Sequence, residues 1–409
     1  MTAEKETFFV ALDIGTSKIV TMIGKLNDED AIEVVGFGQS ESFGLKRGVV
    51  VNIDATVESI KKSLEEAELM AGYKIEKVWT GIAGGHIKSF NSTGMVAVRE
   101  KEVSQSDIDR VVETATAINI PSDQQILHVL PQEFIVDGQE GIRQPIGMSG
   151  VRLEVRVHII TGAVSAAQNI IKCIRRCGVE ADQLILQSLA SANAILSEDE
   201  KQLGTVLLDI GGGTTDIIIF SGGSIKHTGV IPIAGDQVTN DIAMTLRTPT
   251  YDAEQIKLRY GVCKQSLLID KEEIDVPGIG DRPNRTLSKA SLAQVIEPRI
   301  EELFSMVAGV IKDSGFDELL SSGVVLTGGT AMLQGAGALG EDIFFRQVRI
   351  ATPKYSGNLK ELLSNPRYST AIGLLLEAKD HTETTKKNYG GFTFKNMFYR
   401  FKSWIDGNF

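Results

Sequence analysis

The chain has 409 residues, 42% of them apolar, and a formal net charge of −11 at pH 7. The length exceeds one ordinary core, so two or more domains are expected, and the apolar fraction excludes a disordered chain. The acidic balance argues against bulk nucleic-acid binding, and three cysteines without CxxC spacing argue against a disulfide or zinc framework.

The N-terminus shows no basic region followed by an apolar run and a cleavage site. The first element is a hairpin. Apolar Phe8–Leu12 and Ile19–Ile23 flank Asp13-Ile14-Gly15-Thr16-Ser17-Lys18, so residues 8–24 read as strand, glycine turn, strand. Glu33–Gly38 reads as a third strand, Asp54 as the N-cap of a helix through about Ala71, and Lys77–Ile82 as another strand. From about Gly84 to Gly162 the texture changes. Met95–Val98, Ile126–Val129, Glu133–Val136 and Leu153–Ile160 read as strands around a helix starting near Ser104, where Ser104 and Asp107 have capping-box spacing. These ~75 residues are enough for a small α+β module that interrupts the first half.

Residues 163–200 return to helix, strand, helix. Val206–Leu208 and Ile217–Phe220 then flank Asp209-Ile210-Gly211-Gly212-Gly213-Thr214-Thr215-Asp216, an elaborated copy of the first turn, and one more strand runs to Ile231. Val238–Arg247, Asp252–Tyr260 and Ser288–Asp313 read as helices, with an irregular stretch at 276–285. Gly323–Thr327 reads as a short strand running into Gly328-Gly329-Thr330, with a helix from about Met332. Tyr368–Lys379 is the last helix of the body, and Asp380–Gly391 reads as a flexible polar linker.

The repeated hairpins imply a duplicated α/β fold whose two halves could clamp a nucleotide phosphate chain. Glycine turns let backbone N–H groups converge on phosphate oxygens, because glycine tolerates φ > 0 and has no Cβ in the way. Gly15, Thr16, Ser17 and Lys18 would serve in the first turn, and Gly211, Gly212, Gly213, Thr214 and Thr215 in the second. Asp13, Asp209 and Asp216 cannot hold phosphate directly, but can hold Mg²⁺ through its waters. Gly328, Gly329 and Thr330 supply a third turn that admits ribose or adenine, and Glu254 and Lys257, one helical turn apart, could reach the ribose.

The last stretch differs from the body. Residues 386–409 carry five Lys or Arg against Asp406, a net of +4 that leaves −15 elsewhere. Phe394, Met397, Phe398, Phe401, Trp404 and Ile405 recur at helical spacing as one apolar stripe, with Lys395, Arg400 and Lys402 mostly outside it. Fourteen or so residues span only ~21 Å, so the expectation is a helix lying among anionic lipid headgroups rather than crossing the bilayer. Arg282, Arg285, Lys289 and Arg299 form a basic cluster on an acidic protein, which reads as a solvated face or a docking patch for an acidic peptide.

These motifs resemble the actin, Hsp70 and sugar-kinase ATPase superfamily. Asp13–Lys18 and Leu208–Asp216 match its phosphate motifs, and Leu326–Thr330 its adenosine motif. Gln187-Ser188-Leu189-Ala190-Ser191-Ala192 and Ala371-Ile372-Gly373 match its connecting motifs. The resemblance implies an actin-like (RNase H-like) fold with nucleotide in a central cleft, Gly235 among the contacts, and Gln187 orienting water in at most a weak ATPase. Within the superfamily the chain resembles the FtsA family of bacterial cell-division proteins. The short link after the third strand, the module at 84–162 and the amphipathic end carry that likeness. It divides the chain into a first-half core (1–83, 163–203, 368–380), an inserted subdomain (84–162), a second-half core (204–236, 314–367) and a further subdomain (237–313). A linker (381–391) and a membrane-targeting helix (392–409) follow.

The resemblance further implies ATP and Mg²⁺ as cofactors, self-polymerisation, and binding of the FtsZ C-terminal peptide near the basic cluster. It also implies recruitment of other division proteins at the inner membrane face of the septum. A small-molecule kinase of the same superfamily is the alternative, but no carboxylate is assignable as its base and it leaves the amphipathic end unexplained. A chaperone would need a large substrate domain after the ATPase, and only about 30 residues follow the last body helix.

Overall fold

The computed structural model describes residues 7–27, 30–268, 272–280 and 282–387. In the first half, β1 (Phe8–Ile14), β2 (Lys18–Leu26) and β3 (Ile32–Glu41) form an antiparallel meander. α1 (Ile53–Ala71) packs on β2 and β3. Its N-cap is Asn52, whose side chain accepts from the Ala55 N–H at 3.1 Å, rather than the expected Asp54. Asp54 sits inside the first turn, where its charge still complements the helix dipole. β4 (Lys77–Ile82) then runs parallel to β1.

The chain next leaves the first half. β5 (Lys88–Ala97), α2 (Gln105–Thr116), β6 (Gln124–Val136), β7 (Gln139–Ile142) and β8 (Arg152–Ala163) build an antiparallel sheet in the order β5-β8-β6-β7. The Ser104–Asp107 capping box is present, with Asp107 N donating to Ser104 Oγ at 3.3 Å and Ser104 N to Asp107 Oδ2 at 3.0 Å. α2 lies so close to β5 that a Cβ on Gly94 would meet the Val111 carbonyl at 2.2 Å. The two strands expected at 126–129 and 133–136 are one long strand, β6. Pro131 lies in its middle, where the ladder to β8 shifts register and the missing N–H is tolerated.

α3 (Val164–Arg176), β9 (Glu180–Leu186) and α4 (Gln187–Ile195) complete the first half. Its sheet runs β3-β2-β1-β4-β9.

In the second half, β10 (Thr205–Ile210), β11 (Thr215–Ser221) and β12 (Ser224–Ile231) form the copied meander. α5 (Gly235–Leu246) and α6 (Thr250–Tyr260) follow. The stretch read as irregular is bounded by a small hairpin, β13 (Glu273–Val276) with β14 (Arg285–Ser288), which leads into α7 (Lys289–Asp313). β15 (Val324–Thr327), α8 (Ala336–Phe344) and β16 (Val348–Ile350) close the sheet in the order β12-β11-β10-β15-β16. The helix expected from Met332 is instead a 3₁₀ turn, Thr330–Met332, with α8 beginning only at Ala336.

Both large sheets thus place three antiparallel strands beside two parallel ones in the same sequence order, which is the duplication seen in the hairpins. One buried core holds Leu12, Ile19 and Ile60 and extends across to Leu207, Ile218 and Val325 of the second half, while another, within the second half, holds Leu208, Ile217 and Phe304. α9 (Ser369–Lys387) returns to the first half and packs on α4, β1 and β2. The linker expected from residue 380 is therefore helical as far as Lys387. His381 explains the first part of that extension, because its ring packs on Trp79 with centroids 5.4 Å apart. The expected membrane residues Phe394 to Ile405 lie outside the described residues.

Candidate functional site

The two copied hairpins turn toward each other. In the first, Gly15 N donates to Lys18 O at 3.0 Å; in the second, Gly211 N donates to Thr214 O at 2.9 Å. Glycine is required where the turns meet. A Cβ on Gly213 would lie 2.6 Å from Thr16 Oγ1, and one on Gly212 would lie 3.0 Å from the Ser17 side chain. The third turn closes against the second: Gly328 adopts φ +86°, and a Cβ there would meet Ile210 O at 2.4 Å and Asp209 Oδ1 at 2.5 Å. Thr330 Oγ1 donates to Gly211 O at 2.7 Å.

Together they enclose a cavity of about 380 Å³. Of the expected residues, Asp13, Gly15, Thr16, Ser17, Lys18, Gln187, Asp209, Gly211, Gly212, Gly213, Thr214, Asp216, Glu254, Lys257, Gly328, Gly329 and Thr330 line it. Thr215 and Gly235 do not. Thr215 is buried on the opposite face of β11 and donates to Ile233 O at 2.8 Å, as strand alternation requires of the neighbour of Asp216. Gly235 stands behind the wall, its carbonyl accepting from Lys257 Nζ at 3.1 Å.

The electrostatics of the cavity call for a cation. Five carboxylates (Asp13, Asp209, Asp216, Asp236, Glu254) face three basic groups (Lys18, Lys257, Arg367). Burial raises Asp13 and Asp209 above the usual carboxylate range. Burial, together with the nearby Asp209 charge, pushes Asp216 up to about 8. Burial lowers Lys18, whose Nζ stands 3.6 Å from Asp13 Oδ2 and 5.2 Å from the Tyr368 ring centre. Asp216 accepts from Thr214 Oγ1 on Oδ2 at 3.0 Å, yet its buried Oδ1 has no hydrogen-bond partner. An orphaned, buried carboxylate oxygen is costly unless a cation or its water completes it. Among the described residues no group of three or more His, Cys, Asp or Glu is arranged to ligate a metal directly. The set therefore fits a magnesium ion held through its own waters and by phosphate oxygens, as hard cations of that size prefer.

Gln187 opens α4 and donates to Asp13 Oδ1 at 3.3 Å and Ile14 O at 3.4 Å. Glu254 and Lys257 form an ion pair at 2.6 Å at the other end of the cavity, beside Leu258, Met332 and Leu333. That end is apolar enough to receive a base.

Several lining residues carry no signal in the sequence motifs: Gly48, Asp236, Leu258, Pro366, Arg367 and Thr370. Asp236 and Leu258 adjoin expected residues, and Thr370 immediately precedes the second connecting motif, so an extended motif window would have caught these three. The others arrive by tertiary packing alone.

The basic cluster is not assembled as a free patch. Lys289 pairs with Glu272 at 2.8 Å, Arg299 pairs with Asp241 at 2.5 Å and with Glu302, and Arg285 donates to the Leu246 carbonyl. Arg282 is exposed. Two of the four charges are thus paired with the protein's own carboxylates, and Arg285 is engaged by a backbone carbonyl.

A family model described as Cell division protein FtsA matches residues 206–373, and one described as SHS2 domain inserted in FTSA matches residues 84–161. The curated Cell division protein FtsA of Pseudomonas aeruginosa is 51% identical over 407 residues, 98% of each chain. Among solved structures, the PilM–PilN type IV pilus biogenesis complex aligns with TM-score 0.65 at 17% identity, covering 91% of this chain and 98% of that one. MreB5 of Spiroplasma citri bound to ADP aligns with TM-score 0.54 at 14% identity, covering 93% and 98%. At these identities the structural likeness is one of fold, and the fold is actin-like.

Proposed function

The chain belongs to the FtsA family of cell-division proteins, and on that premise we propose that it binds ATP with Mg²⁺ between its two halves. The observation that carries this is the convergence of three glycine turns, from both halves, on one cavity that holds Asp13, Asp209 and Asp216 and an orphaned carboxylate oxygen. The carboxyl groups gathered in the cavity favour a triphosphate that brings its own magnesium over a bare one. Gln187 would orient water. A neutral amide suffices for that when Mg²⁺ and backbone dipoles carry the electrostatics, and the family resemblance favours binding and switching over fast turnover.

Around that site the reading is a protein that self-associates on the cytoplasmic face of the inner membrane at the septum. Residues 392–409 supply the hold on anionic lipid, each basic residue contributing ~1 kcal/mol near the surface, and a polymer of weak anchors binds by avidity. Filaments of FtsZ are tethered through their C-terminal peptide, and other division proteins are recruited. Among the described residues no helix is long and apolar enough to cross a membrane.

Calorimetry on the purified full chain tests the core of this reading. ATP with Mg²⁺ binds to the native protein, and the double variant Asp13→Asn with Asp209→Asn loses that binding. No uptake of nucleotide by the native chain, or full uptake by the double variant, overturns it.

A further inference from the structure

We propose that Ser191 and Thr370 are positioning residues that fix Asp209 for magnesium and tie the metal site to the separation of the two halves. The inference rests on the reading of the cleft as a Mg²⁺–nucleotide site. Ser191 Oγ donates to Asp209 Oδ2 at 2.5 Å, Thr370 Oγ1 donates to the same oxygen at 3.2 Å, and the two hydroxyls are 3.0 Å apart. Both Ser191 and Thr370 are buried, which limits competition from water for these bonds.

The three groups come from different parts of the molecule. Ser191 is on α4, which packs on strands of both halves, and Thr370 on α9, which packs on α4, β1 and β2 of the first half, while Asp209 lies near the end of β10 of the second. Close approach of the two helices delivers the hydroxyls together: Gly373 of α9 lies so near α4 that a Cβ would sit 1.8 Å from Ala190 O. One turn before Ser191, Gln187 donates to Asp13 Oδ1 at 3.3 Å. Residues four apart share a helix face. One face of α4 therefore holds one aspartate from each half.

With Oδ2 occupied by two donors, Oδ1 is the oxygen of Asp209 left for the metal site, and the missing Cβ of Gly328 leaves it room. Groups that orient a metal site's carboxylates typically cost about 10–100-fold in metal affinity when removed, and a carboxylate that holds the ion's waters needs the same orientation. Halves that moved apart would break the two bonds or drag Asp209 out of place. Magnesium occupancy and cleft closure thus become one coupled equilibrium.

The test is the Mg²⁺ concentration that half-saturates binding of a fluorescent ATP analogue to the full chain, with a parallel measurement in EDTA. Ser191→Ala and Thr370→Val each raise the half-saturating Mg²⁺ severalfold, and the double variant raises it about tenfold or more, the loss expected for charge-assisted bonds. Any loss of nucleotide affinity in EDTA is smaller than the rise in Mg²⁺ requirement, and Thr370→Ser keeps the native Mg²⁺ requirement. A double variant with the native requirement overturns the proposal, as does an equal loss in EDTA, which is what a merely structural role would give. Should Ser191→Ala fail to fold by far-UV circular dichroism, the Thr370→Val and Thr370→Ser pair decides alone. A native chain that binds no nucleotide in either buffer defeats the cleft reading itself, and this inference with it.

Discussion

Asp209 and Asp216 stand directly opposite each other across the second hairpin, as cross-strand partners of β10 and β11. Like charges in that position repel, and burial raises both carboxyls here. The pair therefore stores a protonation preference that a cation releases.

The consequence is a pH dependence with a definite sign. Asp216 titrates near 8 in the folded chain, far above the ordinary carboxylate value, chiefly because of burial. Without ligand, the native state holds a proton that the unfolded state has released. Its contribution to stability is full below the ordinary carboxylate pKa and is lost as pH rises through about 8. The melting temperature of the nucleotide-free protein should fall between about pH 5 and about 8, less steeply in Asp216→Asn. Saturating Mg²⁺ and ATP should flatten the native profile. Differential scanning calorimetry across that range checks it, and a flat native profile without ligand refutes it.

Lys257 is buried and donates to Gly235 O at 3.1 Å and Thr239 Oγ1 at 2.9 Å while pairing with Glu254 at 2.6 Å. Lys257→Met strips a donor from all three groups. Stability should drop by about 2 kcal/mol. Affinity for ADP and ATP should weaken equally, because the contact lies at the nucleoside end rather than along the phosphates. Urea denaturation and calorimetric titration with both nucleotides measure the two effects.

Two glycine substitutions should move stability in opposite directions. Gly373→Ala forces a Cβ to within 1.8 Å of the Ala190 carbonyl and separates α4 from α9, at a cost of about 2–3 kcal/mol or more. Gly309, inside α7, has open space within 4 Å of where a Cβ would sit, so Gly309→Ala should gain about 0.5–1 kcal/mol from the unfolded chain's lost freedom. Chemical denaturation midpoints at constant slope report both.

Deleting residues 392–409 should abolish flotation with vesicles containing anionic lipid while leaving ATP binding at the native level. Replacing Lys395, Arg400 and Lys402 by glutamine should weaken flotation and steepen its loss with salt. Flotation that survives the deletion would remove the tether from the reading.

The glycine turns were readable because their chemistry is local: Asp, glycine and hydroxyl residues follow one another within eight positions, between apolar runs that can only be strands. The duplication was readable for the same reason. Ser191 and Thr370 were not, because a hydroxyl in a helix looks alike whether it faces a carboxylate or a neighbour's methyl group. The meeting of α4 with α9 decides that, 179 residues apart along the chain. Arg299 misled in the opposite way: a charge counted as surface is matched by Asp241, 58 residues upstream. The helix past Lys379 was hidden by polar composition, although the run to Lys387 holds no glycine or proline to stop it. The strands expected at 126–129 and 133–136 join into one because the register shift against β8 absorbs Pro131.

The inserted sheet leaves the first half by chain but is fastened to the second. Ser89 Oγ donates to Thr228 O at 2.8 Å, Gln132 Nε2 to Ile225 O at 2.7 Å, His158 Nε2 lies 3.0 Å from Thr228 Oγ1, and Arg143 donates to Gly222 O. Rooted in one lobe and riveted to the other, it works as a brace, not a pendant. Any large turn of one lobe against the other has to break or stretch these bonds, so the brace limits how far the jaw can open.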